Sequence, residues 1–291
     1  MAVLVTGGTG TIGSQVVAKL VQKGIEVYAF ARSPENAQFP RGVSPIKGDL
    51  MDLGAVQAAV ARASTLFLLN AVTPDELTQA LLTFSIAREA GIKGVVYFSV
   101  FNSDLFTDVP HFTGKYAVER MIEDCDLPVT ILRPNYFMQN DLGMKDALLG
   151  RGVYAWPIGD KGVSMVDTRD IAEVAALCLL QRENAPEPLS RETIEIAGPD
   201  ALTGHAVAEV WSRALDREIR YGGDDLASFE QQFASFAPPW MARDMRLMLE
   251  GFHKHGMAAK PATISRLSNL LGHPLRSYRD FAAETAQAWC G

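Results

Sequence analysis

Little in these 291 residues suits a disulfide-built, membrane-spanning or polyanion-binding protein. Cysteine is scarce: Cys125, Cys178 and Cys290 are odd in number, far apart and make no C-x-x-C pair. That argues against a disulfide frame and for reduced thiols in a cytoplasm. No apolar run approaches the ~20 residues a spanning helix needs. The opening MAVLVTGG has neither a cationic stretch nor a cleavage site, so no secretory signal is expected. Basic charge is in deficit, with 34 acidic against 27 basic residues and a formal charge of −7. Such a chain has no general attraction for nucleic acid or anionic lipid, and neither is an expected partner. No internal repeat or low-complexity tract is present. The 5 histidines suggest no metal site. His253 and His255 are two apart and diverge on a helix, and no cysteine or carboxylate completes a set.

What is there is core-forming material. Hydrophobic residues make up 48% of the chain and charged residues 21%, enough for a sizeable core and too little charge for disorder. Short apolar runs at 3–5, 26–30, 44–46, 65–69, 94–100 and 129–132 read as strands. Helical spacing at 13–22, 53–63, 76–90 and 115–124 falls between them. Strands that are continuously apolar, separated by helices, predict a parallel sheet buried on both faces, in a doubly wound Rossmann-type α/β fold. After Pro134 glycine and proline mark a loop-rich stretch. A capped helix is expected over 167–180, a strand over 193–196, a helix over 205–215, and mostly helix from Leu226 onward.

The strongest motif is Thr6-Gly7-Gly8-Thr9-Gly10-Thr11-Ile12-Gly13, after a strand and before a helix. Gly7 allows the tight turn, Gly10 lets backbone approach a pyrophosphate, and Gly13 permits close packing. The helix N-terminus offers free N–H groups to phosphate. The pattern, with Thr9, Thr11 and Ile12 between the glycines, is read as a dinucleotide site. An NAD site would place an acid at the end of the second strand. Here the stretch 27–34 holds none, and Arg32 stands just past the strand. A guanidinium there pairs with a 2′-phosphate, so NADP is expected rather than NAD.

These residues identify the chain as similar to the atypical, NmrA-like branch of the short-chain dehydrogenase/reductases, near its quinone-oxidoreductase-like and triphenylmethane-reductase-like members. The resemblance rests on TGGTGTIG at 6–13, Gly48-Asp49-Leu50, LRPNYF at 132–137, VDTRDIA at 166–172, IAGP at 196–199 and LGHPLRSY at 271–278. It implies an NADP-binding domain of 1–134 plus 163–198 and a smaller, mainly helical substrate lobe of 135–162 plus 199–291. It implies cofactor contacts from Asp49 and Leu50 beside the adenine, Asn70 and Ala71 along the groove, and Ser99, Pro134, Asn135 and Tyr136 near the nicotinamide. For Asp49 a turn role is the alternative, and Asp167 and Asp170 read as helix caps.

Common members of the superfamily carry Tyr-x-x-x-Lys, four apart on one helix face. Here Lys115 holds the lysine position and His111 the tyrosine position. Tyr116-x-x-x-Arg120 is a shifted match, but arginine titrates too high to donate a proton. Lys115 and His111 are therefore the catalytic candidates. His111 has an ordinary alternative as a loop residue, and Gly114 between the two has no explanation in the sequence. The missing tyrosine weighs against a nucleotide-sugar epimerase. Candidates to line the substrate side are Phe101, Tyr136, Phe137, Met138 and Trp156, with Phe233, Phe236, Trp240 and Met241 as cover; ordinary packing is the alternative for them. The expected function is NADPH-dependent reduction of a hydrophobic, aromatic or quinone-like acceptor. The alternative is an NADP(H)-sensing regulator. A monomer and a homodimer both fit.

Overall fold

The computed structural model describes residues 2–125 and 128–290. In chain order the elements are β1 (Ala2–Thr6), α1 (Thr11–Gln22), β2 (Glu26–Ala31), β3 (Val43–Lys47), α2 (Leu53–Val60), β4 (Thr65–Leu68), α3 (Glu76–Glu89), β5 (Gly94–Phe98), α4 (Pro110–Asp124), β6 (Val129–Pro134), β7 (Val153–Tyr154), α5 (Thr168–Asn184), β8 (Glu192–Ile196), α6 (Gly204–Ala214), β9 (Arg220–Tyr221), α7 (Leu226–Phe233), α8 (Pro239–His255), α9 (Pro261–Leu271) and α10 (Tyr278–Cys290).

Seven strands form one sheet in the order β3-β2-β1-β4-β5-β6-β8. All pairings from β3 through β6 are parallel. The predicted doubly wound Rossmann-type sheet is therefore present. Its apolar runs make β1, β4 and β5 buried at every residue. β3 is mostly exposed and carries Pro45, as an edge strand can. Strand order reverses beside β1, whose neighbours are β2 and β4. In open α/β sheets the carboxyl ends of strands at such a point form the ligand crevice.

The chain forms two compact units: Met1–Val100, Gly114–Arg133 and Ile171–Ile194 in one; Phe101–Thr113, Pro134–Asp170 and Glu195–Gly291 in the other. This division differs from the expected one chiefly in Phe101–Thr113, 163–170 and 195–198, which fall in the second unit. Phe106 accounts for the first of these segments. Its ring packs on Phe112 at 5.0 Å and Phe252 at 6.1 Å. A Cβ on Gly251 would lie 2.3 Å from it, so only glycine fits on α8 there.

The first unit has a core of Phe84, Ile92, Val95, Tyr97, Val118, Ile122 and Val129 with their neighbours. Arg182, almost fully buried, ties α5 to the sheet: its Nε donates to Thr130 at 2.7 Å, and its terminal nitrogens reach the carbonyls of Leu189 and Ser190. The second unit is mainly helical, with a two-stranded β7–β9 sheet. A 3₁₀ segment over Met138–Met144 and a π-helical turn over Ala147–Arg151 lie where the sequence suggests only loop. Trp211 stacks on Trp289 at 5.3 Å and donates from Nε1 to the Tyr278 hydroxyl at 2.7 Å. That hydroxyl donates in turn to Asp141. The three cysteines are unbridged. No helix among the described residues is long and apolar enough to cross a membrane.

Burial pushes the Asp141 carboxyl up to about 7, against the hydrogen bond from Tyr278 and the nearby Tyr154 hydroxyl, which pull it down. An unfolded aspartate titrates near ~3.9. Between these values the folded chain holds a proton that the unfolded chain has lost, so this group's contribution falls as pH rises from about 4 to about 7 and is constant above. Asp141→Asn should remove that slope. The difference in urea-unfolding free energy between the variant and wild type should move in the variant's favour from pH 5 to pH 8.

Candidate functional site

The glycine loop lies at the carboxyl end of β1, beside the reversal of strand order. Gly7 adopts φ +62°, a left-handed conformation that a side chain disfavours. The Gly10 N–H donates to the Gly7 carbonyl at 2.9 Å and closes the turn. A Cβ on residue 13 would lie 2.1 Å from that same carbonyl. Gly13 is thus required by close approach to the loop's own backbone. Gly10 caps α1 without a side chain, and Thr9, Gly10 and Thr11 are exposed while Ile12 is buried. The helix N-terminus is therefore uncovered by any capping side chain, as an anion site requires.

Thr6, the first residue of the motif and given no role in the sequence analysis, fastens this loop. Its Oγ1 donates to the Leu69 carbonyl at 2.9 Å and accepts the Leu69 N–H at 2.8 Å. The ends of β1 and β4 are held together, with Gly7 on one side and Asn70 on the other. Asn70 is buried; its amide nitrogen donates to Gln79 at 3.3 Å, while its Oδ1 has no partner among the described residues. A cavity of approximately 530 Å³ opens beside the loop, lined by Gly8, Thr9, Ser14, Val17, Ser33 and residues 36–40. That volume lies within the ~300–1,000 Å³ usual for ligand pockets. Arg32, next to Ser33, is exposed. An orphaned buried oxygen, an uncapped helix end and a glycine cradle suit a dinucleotide.

A charged network lies farther along the same unit. Lys115, almost fully buried on α4, donates to Glu76 at 2.5 Å and to the Phe98 carbonyl at 3.3 Å. Four residues on, the fully buried Glu119 takes Arg133 at 2.5 and 3.1 Å and the Ser99 hydroxyl. Ser99 and Lys115 are thus each tied to a buried carboxylate. Sequence reading missed Glu76 and Arg133 as partners. The signals available were Glu76 opening α3 just after β4, and Lys115-x-x-x-Glu119 sharing a helix face.

Other expected residues have visible local roles. Asp49 is exposed, and its Oδ1 accepts the Met51 N–H at 2.9 Å, the turn role weighed against adenine contact. Leu50 is half-buried and Ala71 exposed. Asp167 accepts the Arg169 N–H at 2.8 Å as a cap. Asp170 does not cap: it accepts the Arg276 N–H at 2.9 Å and its guanidinium. Pro134 ends β6. Asn135 is buried, with its amide nitrogen on the Met257 carbonyl and its oxygen on the Tyr136 N–H, both at 2.7 Å. His111 is bound to Asp244 through Nδ1.

Within the second unit the aromatic candidates form a string. Tyr136 meets Trp156 at 6.1 Å and Phe252 at 5.7 Å; Trp156 meets Phe229 at 5.3 Å and Phe233 at 6.3 Å; Phe233 meets Phe236 at 4.8 Å. Phe236 is 75% exposed and Trp240 39%. Phe101 and Met138 are buried, Phe137 half-buried. Phe229 and Phe252 were missed, although Phe229-x-x-x-Phe233 has helical spacing. The Tyr136 hydroxyl and Trp156 Nε1 are buried without partners among the described residues.

The model of the NmrA-like family matches residues 1–282. The chain belongs to the NmrA-like family. It is 29% identical to an NAD(P)H azoreductase of Xenophilus azovorans over 99% of both chains. Among solved structures it resembles an NADPH-dependent quinone oxidoreductase of Escherichia coli complexed with NADPH. That match has a TM-score of 0.85 and 23% identity, and covers 99% of this chain and 100% of that one. It also resembles NmrA, a negative transcriptional regulator, in complex with NADP, with a TM-score of 0.78, 18% identity and coverage of 99% and 95%. At these identities the two structural likenesses establish the fold of this NmrA-like chain.

The Lys115–Glu76 pair is open to a direct test. Removing one partner of a buried ion pair leaves an uncompensated charge, at ~3–5 kcal/mol, whereas replacing both by apolar groups is close to neutral. Glu76→Ala should therefore lower unfolding free energy in urea by about that amount. The double variant Glu76→Ala/Lys115→Met should recover most of the loss.

Proposed function

We propose that this NmrA-like chain is an NADP(H)-dependent reductase that delivers hydride to a small hydrophobic, aromatic or quinone-like acceptor. The observation that carries the reading is the glycine loop opening onto the end of α1, with Arg32 in place of an acid after β2. Gly7, Gly10 and Gly13 would hold the diphosphate by backbone N–H groups, with Thr9, Thr11 and Ile12 in the same turn. Arg32 would take the 2′-phosphate in a charge-assisted pair. Asn70 Oδ1, unpartnered and buried, would accept from the bound nucleotide. When bound, the nicotinamide supplies the hydride.

The chain's own residues then orient the reactants and manage charge and proton. Lys115 has two of its three N–H donors committed to Glu76 and Phe98, which leaves one for a ligand. That arrangement suits a fixed positive charge better than a proton shuttle. His111 is the proton donor in this reading, in the place of the absent tyrosine. Tyr136 and Trp156 offer an apolar wall with two unpartnered donors, which suits an aromatic acceptor bearing carbonyl oxygens. Names borne by relatives, an azoreductase and a quinone oxidoreductase, agree with such acceptors. Three scattered cysteines without a C-x-x-C pair suit a reducing compartment, the cytoplasm. The second reading, a regulator that binds NADP(H) without turnover, draws on the missing tyrosine.

NADPH oxidation with a panel of quinones, enones and azo or triphenylmethane dyes separates the two readings. Turnover is expected with at least one; tight NADPH binding without any turnover favours the regulator. Calorimetric titration tests the cofactor. Arg32→Ala should weaken NADPH roughly 10- to 100-fold and leave NADH unchanged. Equal wild-type affinities for NADPH and NADH would remove the assignment of Arg32.

A further inference from the structure

His111 is gripped twice by one carboxylate. Asp244, on α8, accepts the His111 backbone N–H at Oδ1, 3.2 Å away, and takes the ring Nδ1 at Oδ2. Both side chains are largely shielded, at 10% and 2% exposure. A helix cap needs only the first of these bonds. The second concerns the ring. An ionised carboxylate only accepts, so beside one Nδ1 would have to be the donor. The edge of Phe112 packs against the imidazole at 4.8 Å and helps fix its plane. Nε2 has no hydrogen-bond partner among the described residues. One nitrogen is thus anchored in the protein and the other is left free.

We propose that Asp244 is a positioning residue: it holds His111 with a proton on Nδ1 and so makes Nε2 the nitrogen that serves the acceptor. The proposal rests on the reductase reading. Hydride arriving at a quinone or enone leaves an oxyanion. The oxyanion takes the proton from Nε2 of a doubly protonated ring, the electron pair of that N–H bond stays on nitrogen, and neutral imidazole with its proton on Nδ1 remains. Solvent returns the proton, so each turnover consumes one hydride and one proton. The Asp244 carboxyl group faces the ring at Nδ1 through that step. Without it the neutral ring would be free to carry its proton on Nε2 and to turn its lone pair away from the acceptor.

The first test needs no variant. In wild-type protein with ¹⁵N-labelled histidine, nitrogen chemical shifts should show neutral His111 protonated on Nδ1. Protonation on Nε2 would overturn the proposal. The second test is kinetic, with the best acceptor from the panel. Asp244→Asn keeps an oxygen for the backbone N–H but offers the ring an N–H donor, which favours the wrong tautomer. It should lower kcat ~10²-fold, within the range for general acid–base help, with KM and NADPH affinity nearly unchanged. His111→Asn should do the same, and the double variant should be no slower than His111→Asn, because two groups acting as one unit are not additive. Losses that multiply, or a wild-type kcat in Asp244→Asn, would show a purely structural role and overturn the proposal. Absence of turnover in the wild type is a separate result: it overturns the reductase reading and with it the catalytic use of the ring.

Discussion

The Gly7 carbonyl lies where a side chain at residue 13 would have to begin, 2.1 Å from an added Cβ. The first crossover of the sheet depends on that approach. It requires the left-handed turn at Gly7, the Gly10 N–H on the same carbonyl, and the bare end of α1. Thr6 then pins the turn to the end of β4, so the loop and Asn70 share one edge. The tight backbone turn and the free helix end follow from keeping side chains away from one point, and the buried, unpartnered Asn70 oxygen lies beside them. The space thus kept open is what a diphosphate would fill.

Along the same unit the cost of burying charge shapes the structure. Lys115, Glu76, Glu119 and Arg133 are each drawn out of water, and each is satisfied by a partner of opposite sign. Such pairs add little net stability compared with an apolar core, but they fix geometry because a half-satisfied pair is costly. The Ser99 hydroxyl, bonded to Glu119, is held by the same network. Rigid placement of a cation and a hydroxyl is what a site that stabilises developing negative charge needs.

Much of this architecture was legible in the residues. Apolar runs between glycines located the strands of the main sheet, because a strand buried on both faces leaves no room for polar alternation. The helical stretch expected from Leu226 onward is present, with Pro238-Pro239, Gly256, Pro261 and Gly272 bounding α8 and α9. Other features depend on partners remote in sequence. Helix α4 begins at Pro110, before the expected Lys115, because proline suits a first turn and Asp244 accepts the next N–H, outweighing the ~1 kcal/mol penalty of Gly114 in a helix. The two-residue strands β7 and β9 carry too little pattern to announce themselves. Lys115 was found by its motif position, but Glu76 was not: its place at the start of α3 is a weak signal, and its partner is 39 residues away. Nothing in the sequence singles out Asp244 or Asp141; packing buries both.

In the proposed function the loop from Gly7 to Gly13 holds NADP(H) and Arg32 selects the 2′-phosphate. Crystals grown with NADPH test it most directly. Density is expected for the diphosphate against the backbone N–H groups of that loop and for the 2′-phosphate on the Arg32 guanidinium. A nucleotide seated away from the loop, or a 2′-phosphate facing solvent with Arg32 turned elsewhere, would contradict it.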